Sequence, residues 1–216
     1  MNRFLKGAMI LTIAGVIVKI IGAFSKVLVA RILGGEGIGL YMMAYPIYQI
    51  IVSISAAGIP VAISIMIAEK LANRDMRGVQ QVFNVSLRVL TLVGIIFSVG
   101  LYASAEWLVK WNIITDPRAL IPIQLLSPAI IVVTILSCFR GYFQGFQYMV
   151  PTGTSQVFEQ IFRVGSMVGL AYYFIDSGLH LAAGGATFAT FPGVLAGLIV
   201  LVYFYRSQRS LRQQML

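Results

Sequence analysis

Six stretches of this chain are apolar for long enough to cross a bilayer: residues 8–33, 38–67, 81–104, 120–143, 152–175 and 182–205. A spanning α-helix needs about 20 mostly apolar residues, and backbone left unpaired inside lipid is too costly to persist. The spacing therefore predicts an all-α polytopic membrane protein with six transmembrane helices. A water-soluble fold fails on surface, since only 11% of the residues are charged and 59% are hydrophobic, against about 25% charged in soluble domains. The second stretch holds Pro46 and the triplet Gly58-Ile59-Pro60, which predicts a kink or break near Pro60. The first follows Arg3 and Lys6 as a secretory leader would. Lys19 interrupts it and no small-residue cleavage site follows, so it is expected to be retained as a helix.

The charged residues between the stretches are not evenly shared. Arg3, Lys6, Lys70, Arg74, Arg77, Arg140, Arg206, Arg209 and Arg212 fall before the first stretch or after the second, fourth and sixth. The alternate connections hold Arg31, Lys110 and Arg118, diluted by Glu36, Glu106, Asp116 and Asp176. The excess of cations on cytoplasmic loops then predicts both termini inside, N-in and C-in. That bias accounts for much of the formal charge of +9 and needs no nucleic-acid partner. Trp107 and Trp111, four residues apart, predict an interfacial turn of helix on the outer side.

Lys19 and Lys26 lie inside the first apolar stretch, where each charge costs about 2.5–3.5 kcal/mol on insertion scales. Thr12, Gly15, Lys19, Gly22 and Lys26 follow one another at steps of three and four residues, which puts them on one helix face. Lys26 is near enough to one end to snorkel, whereas Lys19 is not. The stripe is therefore expected to face a hydrated, protein-lined cavity rather than lipid. In the fifth stretch Thr152, Gln156, Glu159, Arg163 and Ser166 repeat the pattern, with Gln160 beside them. Glu159 and Arg163 have the spacing of an intrahelical ion pair, which either neutralises itself within the bundle or forms part of a polar cavity wall. Gln49, Ser53, Pro60 and Ser64 make a weaker stripe in the second stretch, while Tyr41, Tyr45 and Tyr48 are expected to serve packing and the interface.

GxxxG pairs at Gly141–Gly145, Gly165–Gly169 and Gly193–Gly197 allow close helix approach. Cys138 is the single cysteine, so no internal disulfide forms. No His, Cys or carboxylate cluster has metal-ligand spacing, and no nucleophilic triad or phosphate-cradling glycine loop occurs. No cofactor, no metal and no enzymatic activity are expected.

Two long runs carry a family resemblance. KIIGAFSKVLVARILGGEGIGLYMMAYPIYQIIVSISAAGIPVAISIMIAEK, residues 19–70, and CFRGYFQGFQYMVPTGTSQVFEQIFRV, residues 138–164, resemble the polysaccharide-exporter and lipid-flippase branch of the MOP superfamily. The resemblance implies a MATE-like fold of two six-helix lobes around a cationic cavity, and transport of undecaprenyl-pyrophosphate-linked saccharides by alternating access. It places Lys19 and Lys26 where flippase members carry two basic residues, arginines in the lipid II flippases. It also implies a single N-terminal lobe here, residues 1–216, whose partners are the bilayer, a lipid-linked anionic saccharide, and a second lobe or a second copy of the chain. Lys19, Lys26, Gln49, Gln156, Glu159 and Arg163 are the candidate substrate-binding residues. Two other readings stay open, a non-transporting membrane scaffold or fragment and a multidrug exporter of organic cations. The latter needs acidic residues in the cavity.

Overall fold

The computed structural model describes residues 3–56 and 58–207, with side chains from residue 5 onward except 55 and 56. Arg209 and Arg212, counted above among the cytoplasmic cations, lie outside the described residues. The chain opens with α1 (Arg3–Ala56), a run of 54 residues that would extend about 80 Å if straight. It is not straight. Gly34 sits at φ 67° and ψ −175°, a backbone region that side chains other than hydrogen all but forbid. A first arm, residues 3–33, therefore ends where the first apolar stretch was predicted to end, and a second arm runs over residues 35–56. The break expected near Pro60 lies at Gly58 (φ 79°), which caps α2 (Ile59–Ala72) and leaves Pro60 in its first turn, where a missing N–H costs nothing. The predicted stretch 38–67 is thus two helical pieces, and the stripe from Gln49 to Ser64 does not continue across them.

Asp75 starts α3 (Met76–Lys110) by accepting a hydrogen bond from the Gly78 N–H at 2.8 Å, an N-terminal cap that satisfies one orphan donor. Trp107 belongs to the last turn of α3 and Trp111 caps it, so the interfacial turn is the end of this helix. A 3-10 turn, Pro117–Ala119, leads into α4 (Leu120–Gly145), and α5 (Val150–Phe174) follows. A second 3-10 turn, Ile175–Ser177, precedes α6 (Leu179–Phe188) and α7 (Thr190–Ser207). The stretch 182–205 was predicted as one helix, and it is divided at Ala189. Pro192 explains the division, because its ring has no N–H to give to the carbonyl of Phe188 and crowds it.

Among the described residues, four helical stretches are long and apolar enough to cross a membrane: Leu5–Ala72, Met76–Lys110, Pro117–Gly145 and Leu179–Ser207. The first includes the breaks at Gly34 and Gly58. α5 has 25 residues, but Gln156, Glu159, Gln160 and Arg163 lower its hydropathy. The outer faces agree with a lipid surround: Phe24 is 71% and Tyr172 is 74% exposed, an arrangement water would penalise.

The helices run back and forth, so their connections sort into two ends. At one end Gly7 of α1 packs on Met149, Gly145 packs on Ile67, and Gln80 donates to the Tyr205 hydroxyl at 3.0 Å. At the other, Gly37 packs on Leu179 and Arg118 pairs with Glu36 at 2.7 Å. Arg118 also donates to both oxygens of Asp116, and this hydrogen bonding holds that carboxyl below its usual range. α4 is the central post, in contact with α1, α2, α3, α5, α6 and α7. One core surrounds its first half together with the second arm of α1 and α6; a second, more aromatic core surrounds its last turns, where Phe83 packs edge-on against Phe139 and Tyr142 at 5.1 and 4.9 Å. Of the GxxxG pairs, Gly141–Gly145 meets the backbone of α2 and Gly193–Gly197 meets α5, whereas Gly165 and Gly169 face open space.

Candidate functional site

A cavity of about 440 Å³ lies between the two arms of α1 and the middle of α5. Lys19 and Lys26 enter it from the first arm, Tyr41, Tyr45 and Gln49 from the second, and Gln160 and Arg163 from α5. The steps of three and four residues along α1 place Lys19, Gly22 and Lys26 on this one face, as helical geometry requires. Gly15 and Thr12 of the same stripe lie outside the cavity, and the Thr12 hydroxyl donates to its own helix at the Ala8 carbonyl, 2.9 Å. Gly22 is where α5 comes close, since a Cβ there would stand 3.2 Å from the Gln160 amide nitrogen. Break the helix at Gly34, and the second arm folds back to wall the cavity on the other side.

That wall is aromatic and amide in character. Tyr41 and Tyr45 stack at 5.4 Å, and Gln49 donates its amide to the Tyr45 hydroxyl at 3.0 Å. The tyrosines were expected to be packing residues. Tyr41 and Tyr48 are buried in the core and Tyr45 packs against it, while Tyr41 and Tyr45 also border the cavity. The signal was present in the spacing: Tyr45 and Gln49 are one turn apart and share a face.

Of the six sequence candidates, Lys19, Lys26, Gln49 and Arg163 line the cavity, and Gln156 and Glu159 do not. Gln160 occupies the place expected for Gln156. Glu159 lies behind the wall. One of its carboxylate oxygens accepts from Arg163 on its own helix, and the other accepts from Arg140 of α4 at 2.8 Å. All three side chains are largely sheltered, with 19% of Arg140, 13% of Glu159 and 20% of Arg163 exposed. Arg140 corrects the sequence assignment, which counted it among loop cations. It stands inside α4, five residues before the helix ends at Gly145. The stretch 120–143 already contained it, and an arginine inside a membrane helix requires a partner.

α7 packs directly on this cluster. A Cβ on Gly193 would fall 2.7 Å from the Arg163 Cβ and 3.0 Å from the Glu159 carbonyl; one on Gly197 would fall 3.2 Å from the Glu159 Cβ. The Nε–H groups of both arginines are buried without a hydrogen-bond partner. Among the described residues, Lys19, Lys26 and Arg163 line the cavity and no acidic residue does. Positive charge with no opposing acid favours an anion over a cation at such a place. Among the described residues no group of His, Cys, Asp and Glu could hold a metal ion.

A sequence profile described as "Polysaccharide biosynthesis protein" matches residues 4–216. The chain is 34% identical to stage V sporulation protein B of Bacillus subtilis (strain 168), with 98% of this chain and 40% of the relative aligned. It is 30% identical to lipid II flippase MurJ of the same organism, over 97% of this chain and 40% of that one. The chain thus spans about 40% of the length of these curated relatives. Its fold superposes on an outward-facing multidrug resistance MATE family transporter of the MOP superfamily with a TM-score of 0.81 at 15% identity, covering 96% of this chain and 45% of that one. The chain therefore belongs to the polysaccharide biosynthesis protein family, as a multi-pass membrane protein of the bacterial plasma membrane whose fold is like that of the MATE family transporter.

Proposed function

We propose that the chain forms one six-helix lobe, N-in and C-in, of a flippase or exporter that moves undecaprenyl-pyrophosphate-linked saccharides across the membrane by alternating access. The observation that carries this reading is the charge of the cavity: among the described residues, Lys19, Lys26 and Arg163 line it and no acid does. A pyrophosphate is the anionic part of such a lipid, and three cations bordering one cavity attract it together. Lys19 is near the middle of its arm and Arg163 near the middle of α5, and transporters of this general kind bind substrate near the bilayer midplane. The sequence kinship to a lipid II flippase supports the substrate class. Rocking of this lobe against a second one, or against a second copy of the chain, supplies the alternating access. The lobe is a transporter part and not an enzyme.

An organic-cation exporter wants a carboxylate in the cavity. Glu159 is withheld from it by two arginines, which argues against that reading. The deciding experiment measures undecaprenyl-pyrophosphate binding to the chain in lipid nanodiscs. Lys19→Gln is expected to weaken binding about tenfold, or about 1.4 kcal/mol, at unchanged protein abundance, because removing a charge from a membrane helix eases insertion. Lys19→Arg retains most of the affinity, since positive charge matters before fork geometry. A membrane scaffold predicts no change, and a cation exporter predicts a gain in binding of an organic cation instead. Equal affinity for wild type and the Lys19→Gln/Lys26→Gln double variant ends the flippase reading.

A further inference from the structure

Two arginines share one carboxylate behind the cavity wall, and the consequence is a charge imbalance. Each oxygen of Glu159 is taken by a different guanidinium, Arg140 at 2.8 Å on one side and Arg163 on the other. The cluster as a whole carries one unneutralised positive charge in a sheltered part of the bundle. Buried charge without a counter-ion is costly, and the buried Nε–H groups of Arg140 and Arg163 have no acceptor. Only Arg163 reaches the cavity. We infer that Arg140 is a positioning residue for anion binding: by drawing off half of the Glu159 charge, it leaves Arg163 free to act as the third cation of the cavity toward a pyrophosphate.

The physical reason lies in the alternative. With Arg163 and Glu159 alone, the two form a closed i,i+4 pair of no net charge, and an incoming anion meets the carboxylate as well as the guanidinium. Arg140 approaches from α4 and pulls the carboxylate toward that helix. Gly193 and Gly197 of α7 close the cluster from behind, so Glu159 has no room to swing away. The Arg163 guanidinium is thereby offered to the cavity with its excess charge. Arg140 touches no ligand in this arrangement and acts through Glu159.

This inference rests on the reading of the cavity as a pyrophosphate site, and the variants separate the two. The full chain in nanodiscs is titrated calorimetrically with farnesyl pyrophosphate, and with farnesol as the uncharged control. Arg140→Gln is expected to weaken farnesyl pyrophosphate binding about tenfold, which is about 1.4 kcal/mol, and to leave farnesol binding unchanged. Arg140→Lys keeps the charge and should stay within about twofold of wild type, a change of about 0.4 kcal/mol. The decisive variant is Arg140→Gln/Glu159→Gln. It removes the brace between α4 and α5 entirely, yet frees Arg163 of its acid, so pyrophosphate binding should return to the wild-type level. A merely structural role for Arg140 predicts that the double variant binds as weakly as Arg140→Gln, and that result overturns the inference. Should Arg140→Gln alone not fold, the double variant still decides, because it leaves no unpaired acid. A parallel loss of farnesol affinity overturns it as well. If Lys19→Gln fails to weaken binding, the site reading itself falls; if Lys19→Gln weakens it and Arg140→Gln does not, only the role of Arg140 falls.

Discussion

Glu159 and Arg163 were legible as a pair because they lie one turn apart on a single helix, and helical geometry alone brings such residues together. Arg140 is nineteen positions away along the chain from Glu159, so only the packing of α4 on α5 could join it to them. The fourth member of the cluster is a residue with no side chain at all. A Cβ on Gly193 would overlap the Arg163 Cβ at 2.7 Å, with backbone atoms of Glu159 and Arg163 close behind. Gly193→Val should therefore push α7 away and destabilise the protein by about 1–3 kcal/mol, the usual cost of overpacking. Gly169→Val, where a Cβ meets nothing within 4 Å, should melt close to wild type. Thermal unfolding in detergent compares the two. Equal losses would mean that the Gly193 contact does not hold α7 in place.

At the scale of the helix, one residue decides whether the cavity has a second wall. Gly34 turns the chain between the two arms of α1 at φ 67° and ψ −175°. A Cβ there would touch nothing within 4 Å, so the demand for glycine is purely one of backbone conformation. Gly34→Ala is expected to cost about 1–3 kcal/mol, the strain of a residue held outside its allowed regions. Gly35→Ala next door, helical and equally open, should instead gain up to about 1 kcal/mol from helix propensity. Opposite signs for neighbouring alanines, read by the same melting assay, are the expected outcome; two losses would place the strain elsewhere. Because Gly34 sets the angle at which Tyr41, Tyr45 and Gln49 face Lys19 and Lys26, Gly34→Ala should also weaken pyrophosphate binding.

For the whole molecule, the separation of its two ends makes topology testable. α3 has 35 residues and so spans about 52 Å, with Arg74 just before it and Asp116 just beyond it. Lys6, Lys70, Arg74, Arg77 and Arg206 gather at the first end, while Glu36, Glu106, Asp116 and Asp176 temper the cations at the other. Removing Arg140 from the loop count leaves the bias intact. A membrane-impermeant maleimide applied to intact cells should label Asp116→Cys and Ser177→Cys but not Arg74→Cys. The native thiol of Cys138 is buried and gives no background. Labelling of Arg74→Cys from outside would invert the proposed orientation, and with it the side from which the cavity loads.

Local rules were enough for several features of this protein. Apolar length fixed the helical class and the end of the first helix at residue 33, Gly58 and Pro60 marked the break near Pro60, and steps of three and four residues put Lys19 and Lys26 on one face. Each of these depends only on neighbours in the chain. Tertiary packing decided the rest: that Gln160 and not Gln156 meets the cavity, that Tyr41 and Tyr45 line it, that Arg140 joins Glu159, and that Gly165 and Gly169 pack on nothing. The physical reason is rotational. Helical periodicity fixes the angle between residues on one helix, but the direction in which the whole helix is turned is set by contacts with other helices far away in sequence.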